Sequence, residues 1–299
     1  MPITEKGYKP YEGKRLPSKR NHWIIAKMEA RRIWASALVK VVVILSLLPP
    51  VGYMIYCVAM LKFVLPLNLA AAGAQGMPVD EGEALAETFS PELVLDAMGT
   101  QMIFVVLMTL AWGAGTIASE ARGPVRQFDF AKPVTSRTYL LGKIIPLAVY
   151  CWVITIVPAV LLVAFEAVAL RSQDLWASRL ALILPAMLHA VVLSVVLSTC
   201  SVAASSLSRS RLLTLSFWAG ALFVPMAVAW IVELSTRGEA HWAYLASILN
   251  MIRTLGEAIF RLEVEGPIQW FHALAVLAAL SVGAAFLMRH RLTRPEVVG

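Results

Sequence analysis

The sequence predicts an all-α polytopic membrane protein with six transmembrane helices and both termini in the cytoplasm. Three observations predict this class: of 299 residues 59% are apolar, only 15% are charged, and the mean hydropathy is +0.72. Soluble domains are closer to half apolar and a quarter charged. The composition therefore argues against a soluble enzyme, a disordered chain and a β-rich secreted protein. Backbone polar groups in hydrocarbon must be hydrogen-bonded within the chain, so the spanning segments are expected to be helices.

The distribution of Lys and Arg predicts the orientation. A six-span topology places 20 of the 26 basic residues on one side and 13 of the 19 acidic residues on the other. Basic loops face the cytoplasm, so both termini are assigned to the cytoplasmic side of a bacterial inner membrane. The net charge of +7 is interpreted as a topology determinant and not as a nucleic-acid-binding surface.

Residues 1–32 are predicted to form a cytoplasmic N-terminal segment that ends in an interface helix. From Asn21 onward, apolar and basic side chains alternate with helical spacing, which is typical of a helix lying at a membrane surface. Its interface residues are expected to be Trp23, Lys27, Arg31 and Arg32.

A single transmembrane domain, residues 33–288, is predicted to follow, and residues 289–299 form a short cytoplasmic tail. Pro49-Pro50 interrupts the first span, but each half is too short to cross about 30 Å of hydrocarbon, so one long kinked helix is predicted. The spans are expected at 33–64, 96–119, 138–170, 179–207, 211–235 and 269–288.

Small residues at the ends of two spans predict close helix packing. Gly113 and Gly115 lie near the end of the second span, and Ser198–Ser206 at the end of the fourth is rich in Ser, Thr and Ala. Small side chains let helix backbones approach closely in membranes.

Two outer segments separate the spans. Residues 66–95 are expected to form an acidic loop with a short helix that begins at Pro91 and is capped by Ser90. Residues 237–268 are predicted to form two short amphipathic helices, split near Asn250, at the outer interface or re-entering the membrane.

The second outer segment also has a regular charge spacing. Arg253, Glu257 and Arg261 are four residues apart and are expected to pair along one helix face. Met251, Leu255, Ile259 and Leu262 would line another face.

Charges within the spans are few, and each is placed where its side chain could reach an interface: Lys40, Lys62, Glu166 and Glu233. Ion-coupled transporters are expected to have buried acids or broken helices near mid-membrane, and neither is predicted here. An ion-coupled pathway is accordingly disfavoured.

No catalytic or metal-binding motif is present in the sequence. There is no phosphate-binding G-x-x-x-x-G-K-[ST] loop, H-E-x-x-H, G-x-S-x-G or C-x-x-C. The chain is therefore expected to be neither an enzyme nor a holder of a metal or other cofactor. Cys57, Cys151 and Cys200 are interpreted as packing residues in apolar spans.

The loop between the second and third spans carries the most informative sequence. Gly123-Pro124 breaks the helix after Glu120. Phe128 and Phe130 follow, with charged side chains beside them. One interpretation is an ordinary polar turn with interfacial aromatics. The other is a docking segment for a cytoplasmic partner, because exposed aromatic and Arg side chains form contact hot spots.

The run that opens the third span resembles permease subunits of type-2 ATP-binding-cassette exporters. In that family a Glu ends the second span, a short coupling segment follows, and a Pro-Val-Ser-Arg…Tyr-Leu-x-Gly-Lys run opens the third span. Here Ser119-Glu120 is followed by Phe128–Pro133 and by a run that ends at Gly142-Lys143. Thr135 is an additional residue, and Phe128-Asp129-Phe130 replaces the family's leucine-rich patch. The interface helix, six spans and paired short helices also match the family's layout.

The resemblance implies a permease that forms a translocation path as a dimer, either a homodimer or with a related permease. It implies a separate cytoplasmic ATPase subunit, in two copies, which would hold ATP and Mg²⁺. The coupling surface implied by position comprises Glu120, Arg122, Arg126, Phe128, Asp129, Phe130 and Arg137, with Arg209 and Arg211 from the next cytoplasmic link. Lipid-like, amphipathic and peptide substrates are all compatible with this resemblance, and so is a mechanical or maturation role.

Three other classes stay open. A non-transporting membrane anchor or assembly component of an envelope complex would share the same composition. A haem-binding electron carrier could use His189 and His272, the two histidines within spans. An ion-coupled transporter is the third alternative.

Overall fold

A computed structural model describes residues 21–74, 89–118, 136–170, 176–208, 210–236, 241–263 and 268–293. Every regular element within these ranges is helical. The α-helices in chain order are α1 (Asn21–Ala35), α2 (Ala37–Leu45), α3 (Leu48–Ala59), α4 (Leu65–Ala74), α5 (Pro91–Ala111), α6 (Ser136–Ala169), α7 (Trp176–Ala181), α8 (Ile183–Ser205), α9 (Arg211–Ser235), α10 (Ile248–Ile259) and α11 (Trp270–Thr293). A π-helical turn (Met60–Val64) and two 3₁₀ segments (Gly113–Gly115 and His241–Ala246) complete them.

Six segments of the described chain are long and apolar enough to cross a membrane. They are Ala37–Ala71, Pro91–Gly115, Ser136–Ala169, Trp176–Ser205, Arg211–Ser235 and Trp270–Arg291. The predicted all-α class with six spans is thereby confirmed, and the chain is a multi-pass membrane protein. The largest shift in position is in span 1, which begins at Ala37 and continues beyond the predicted Val64.

Span 1 is one apolar segment, Ala37–Ala71, as predicted, and the predicted kink takes the form of a two-residue break beside Pro49-Pro50. The helix ends at Leu45 and begins again at Leu48, with Pro49 and Pro50 in the first turn of α3. Proline has no backbone N–H, so Pro50 cannot donate to the carbonyl of Ser46 four residues earlier. Gln101 of span 2 supplies the missing donor, because its Nε2 lies 2.8 Å from the Ser46 carbonyl oxygen.

The outer segment between spans 1 and 2 also differs from the expectation. Residues 65–74 are helical, and the helix that begins at Pro91 continues without a break through span 2. No further proline follows Pro91 in α5, and the helix continues through Gly99, so the predicted short helix and the span are one element. Ser90 occupies the N-cap position, but its side chain makes no capping hydrogen bond.

Span 3 is the central helix of the bundle. It packs against α1, α5 and α8 and stays helical through Pro146 and Pro158. Its buried side chains belong to the main apolar core, with Leu147, Cys151 and Ile154 among them.

Small residues join the ends of spans 2 and 4, as predicted. Ser201 is buried and donates from Oγ to the Thr109 carbonyl oxygen at 3.0 Å. Gly113 faces the same hydroxyl so closely that an added Cβ would overlap it. Trp218 of span 5 donates to the Thr109 hydroxyl at 3.2 Å, which brings a third helix to this contact.

The pair of short helices before span 6 is also present, as a 3₁₀ segment and α10, but the break lies at Ser247 and not at Asn250. Ile248, Met251, Ile252 and Leu255 bury one face of α10. Arg253 pairs with Glu257 at 3.3 Å and with Asp96 of span 2 at 3.1 Å. Arg261 does not continue this face, because α10 ends at Ile259.

Two glycines of the second span provide a matched test of the close contact. We expect Gly113→Ala to lower the free energy of unfolding by about 1–3 kcal/mol, because the new methyl group overpacks against Ser201 and Leu147. Gly99→Ala has nothing within 4 Å of the new methyl group and should be neutral or stabilising by up to about 1 kcal/mol. Reversible unfolding in mixed detergent measures both, and equal effects of the two substitutions would contradict the contact.

Candidate functional site

The candidate site lies at the end of the bundle that is predicted to be cytoplasmic, where α1 meets spans 2 and 3. Seven of the predicted coupling residues fall outside the described part of the chain: Glu120, Arg122, Arg126, Phe128, Asp129, Phe130 and Arg209. Arg137, Arg211 and the four predicted interface residues of α1 are described. The candidate site therefore consists of the described residues around the two ends of the loop at 119–135.

Glu29 of α1 is the centre of this region. Its carboxylate is buried, and Lys143 of α6 approaches it at 2.9 Å, with only 4% of either side chain exposed. Trp112 donates from Nε1 to Glu29 Oε1 at 3.3 Å, and Arg32 approaches Oε2 at 3.3 Å. One carboxylate thus joins the interface helix, the end of span 2 and the beginning of span 3.

Neighbouring residues of the motif pack α1 against span 3. Gly142 lies so close to Ile25 and the His22 backbone oxygen that an added Cβ would be 2.5 Å from the Ile25 side chain. Lys143 Nζ lies 5.6 Å from the centre of the buried Tyr139 ring. The Tyr139–Lys143 run therefore forms the contact surface for the interface helix.

A second contact lies one to two turns further along span 3. Tyr150 donates its hydroxyl to the Ala30 carbonyl oxygen at 3.2 Å and stacks on Trp34 with ring centres 6.2 Å apart. Together with the Glu29–Lys143 pair, this contact fixes both the position and the rotation of α1.

Three of the predicted interface residues, Trp23, Lys27 and Arg31, lie on the opposite face of α1 and are exposed, Trp23 at 60%. Arg32 is also exposed but lies on the Glu29 side, where it pairs with that carboxylate. An apolar ring and two basic groups on the exposed face suit the headgroup region of a membrane. The prediction of an interface helix is consistent with this arrangement.

The start of the loop is held by span 4. The buried Ser205 hydroxyl accepts hydrogen bonds from the backbone N–H groups of Ile117 and Ala118 at 2.8 and 3.0 Å. These N–H groups come after the 3₁₀ segment, where they no longer have helical carbonyl groups as acceptors. The Ser205 hydroxyl takes the place of those carbonyl acceptors.

Of the two described coupling residues, one contacts another span. Arg211 donates to the Ala111 carbonyl oxygen at 2.8 Å, and its side chain lies against Gly115. It therefore links the first turn of span 5 to the end of span 2. Arg137 is exposed in the first turn of α6, and no described residue pairs with it.

Sequence reasoning did not place Glu29, Trp112 or Ser205 in the site, and it identified Lys143 only as the end of the run that resembles the exporter family. Glu29 had a usable signal, because it lies three residues after Ala26 and four before Ile33, both of which are buried. An acid in phase with the apolar face of an amphipathic helix needs a buried partner. Which cation supplies it cannot be deduced from spacing, since Lys143 is 114 residues away.

A second buried charge lies near the other end of span 3, and the expectation that Glu166 reaches an interface is wrong. Glu166 is 0% exposed, because Leu162 and Leu170 on the same helical face are buried around it. Neither carboxylate oxygen has a hydrogen-bond partner among the described residues. Arg179 of span 4 is also buried, and its Nε has no hydrogen-bond partner among the described residues.

The other charges within spans behave differently. Lys40 and Lys62 are exposed, as expected. Glu233 is half-buried and accepts a hydrogen bond from the Tyr244 hydroxyl of the outer 3₁₀ segment. Glu166 is thus a buried acid in the last turn of span 3, and span 1 is broken at Ser46.

The two span histidines have different environments. His189 is buried against Gly256, and its Nδ1 has no partner among the described residues. His272 is exposed and accepts the Gln269 backbone N–H at 3.1 Å. Within the described ranges no group of three or more His, Cys, Asp or Glu side chains could hold a metal ion. Cys57, Cys151 and Cys200 are free and buried.

No protein-family model and no curated protein matches this chain.

The Glu29–Lys143 pair can be tested by charge removal. We expect Lys143→Met to lower the free energy of unfolding by about 3 kcal/mol, because it leaves a buried carboxylate short of its closest cation. Glu29→Gln in the same chain should recover part of the loss, which a double-mutant cycle measures. The exposed Arg31→Met is the control and should change the free energy by less than about 0.5 kcal/mol. Additive effects of the two substitutions would refute the pairing.

The same logic applies at Glu166. Arg179→Met should destabilise the protein by about 1–3 kcal/mol, since Arg179 is the buried opposite charge that span 4 brings to the packed side of span 3, where Glu166 is buried. Combining it with Glu166→Gln should restore most of the stability, and Lys40→Met serves as the exposed control. Thermal unfolding in detergent is the readout. An Arg179→Met variant as stable as the parent chain would show that the two charges are not coupled.

Proposed function

We propose that the chain is the membrane-spanning permease subunit of a type-2 ATP-binding-cassette exporter. Two permease chains would form the translocation path, and a separate cytoplasmic ATPase subunit would drive it. The observation that supports this most directly is the Tyr139–Lys143 run, which resembles the family's motif and contacts the interface helix through Gly142 and Lys143. Six apolar spans and paired short helices before the last span agree with the family's layout.

The contacts at the base of the loop suggest a route for mechanical coupling. In this proposal, ATP closes the ATPase dimer and displaces the loop at 119–135. Its near end is bonded to Ser205 of span 4, and its far end leads into α6, where Lys143 pairs with Glu29. A displacement would therefore reach spans 3 and 4 and the interface helix together. This chain would contribute contact geometry and no covalent step.

Ion-coupled transport is a second candidate, and two specific observations favour it. Glu166 is a fully buried acid within a span, and span 1 is broken at Ser46 beside the polar side chain of Gln101. Buried acids and broken helices are typical of coupling-ion sites. Transport that persists without any ATPase and stops when the ion gradient is collapsed would favour this candidate over the exporter.

The exporter proposal is tested by copurification and by a double substitution in the loop. The tagged chain, extracted from its own membranes in mild detergent, should retain an ATPase subunit and show ATP hydrolysis. Phe128→Ala with Phe130→Ala should reduce ATPase retention at least about tenfold, because truncating contact hot spots typically costs more than 1 kcal/mol each. Transport should fall in parallel.

The matched control is Tyr8→Ala with Tyr11→Ala, which removes two aromatic rings from the N-terminal segment on the same predicted side. It should leave ATPase retention unchanged. A folded Phe128/Phe130 variant with normal ATPase retention and transport would remove this loop from the mechanism. Copurification of structural envelope proteins with no ATPase would instead favour the anchor or assembly role.

A further inference from the structure

A groove opens between the end of α10 and the beginning of span 6. Its volume is about 470 Å³, within the range of small-molecule sites. The apolar walls include Ala258, Ile259, Leu262 and Leu274, and Arg261 and Trp270 also line the groove. Among the described residues that line it, Arg261 is the only charged one.

The groove lies at the depth of an aromatic belt. Trp270 and Phe271 begin span 6 and are about half exposed, and Trp242 in the preceding 3₁₀ segment is 67% exposed. Exposed Trp side chains at the end of a span are typical of the membrane–water interface. The connection between spans 5 and 6 is on the predicted outer side, so the groove faces the outer leaflet.

Arg261 has an unusual backbone conformation. Its φ is 59°, in the left-handed region, and it is the only non-glycine residue with positive φ among those described. Arg261 N donates to the Ala258 oxygen at 3.1 Å and Leu262 N to the Glu257 oxygen at 2.9 Å, which together form a Schellman motif at the end of α10. Glycine is the least strained residue there, so an arginine needs a compensating role.

The guanidinium of Arg261 is available for an external anion. It is exposed, and it forms no ion pair with any residue in the described part of the chain. Glu257, one turn earlier, is already paired with Arg253 at 3.3 Å, and Arg253 is also paired with Asp96. Asp96 and Glu257 are thus both paired with Arg253, which leaves the guanidinium of Arg261 as a cation beside the groove, with the exposed carboxylate of Glu263 two residues away.

We infer that this groove binds one phospholipid of the outer leaflet. The phosphodiester group pairs with the Arg261 guanidinium, whose fork of donors matches phosphate oxygens, and an acyl chain covers the apolar walls. Trp270 lies where it can contact the region of the lipid between the headgroup and the acyl chain. A lipid fits better than a peptide, because the groove combines headgroup depth with one cation and otherwise uncharged walls among its described residues. The inference does not depend on an ATPase partner.

The test uses the full-length chain reconstituted in nanodiscs of phosphatidylethanolamine and phosphatidylglycerol, then released into mild detergent for native mass spectrometry. Arg261→Gly removes the guanidinium but keeps the left-handed backbone, so it should not lower the thermal stability. Ala258→Phe fills the groove with a larger side chain and leaves the guanidinium in place. Lys62→Gln removes another exposed basic group from the predicted outer side and serves as the control.

We expect one tightly retained phospholipid per parent chain. Its retention should fall about tenfold or more in Arg261→Gly, as is typical for a lost charge-assisted hydrogen bond, and comparably in Ala258→Phe. Lys62→Gln should retain the lipid. Equal retention in Arg261→Gly and the parent chain would overturn the inference. So would cross-linking of two chains through Ala258→Cys in membranes without a retained lipid, since a second copy would then occupy the groove.

Discussion

The buried carboxylate of Glu29 constrains the arrangement at one end of the bundle. A carboxylate out of water is costly unless cations and hydrogen-bond donors surround it, so its partners cannot be placed independently. Lys143, Trp112 and Arg32 meet this requirement from three elements. The interface helix, the end of span 2 and the beginning of span 3 are consequently fixed relative to one another. The loop proposed to contact an ATPase begins and ends beside this junction.

A second constraint acts at two places in the bundle, where backbone groups freed at the end of a helix are bonded by a polar side chain from another helix. Hydrocarbon offers no water to freed backbone groups, so side chains must replace it. Gln101 does so for the Ser46 carbonyl that Pro50 cannot reach, and Ser205 does so for two N–H groups after span 2. Isolated polar residues in apolar spans therefore have structural roles here. Glu166 differs, because no described residue bonds its carboxylate, and this is why it favours a second functional candidate.

The two ends of the bundle are built differently. The end predicted to be cytoplasmic has small residues and a buried ion pair, which suit rigid transmission of a displacement. At the other end, α10 buries one face against the spans and leaves an apolar groove with a strained arginine beside it. That end suits contact with lipid. The proposed export function concerns the first end and the proposed lipid site the second, so each can fail without the other.

The sequence by itself determined the all-α class and the six spans, because bilayer thickness sets the length of an apolar helix and hydropathy is a property of each segment alone. It also identified Gly113 and the Ser198–Ser206 run as surfaces for close helix packing, since close packing depends on side-chain size, but the tertiary structure decided that the two surfaces meet. The coupling roles of Phe128 and its neighbours stay predictions from resemblance. Only the tertiary structure decided the break at Ser46, the pairing of Glu29 with Lys143, the burial of Glu166 and the backbone of Arg261. Each of these depends on which distant side chain satisfies a charge or a backbone group, and packing alone brings those partners together.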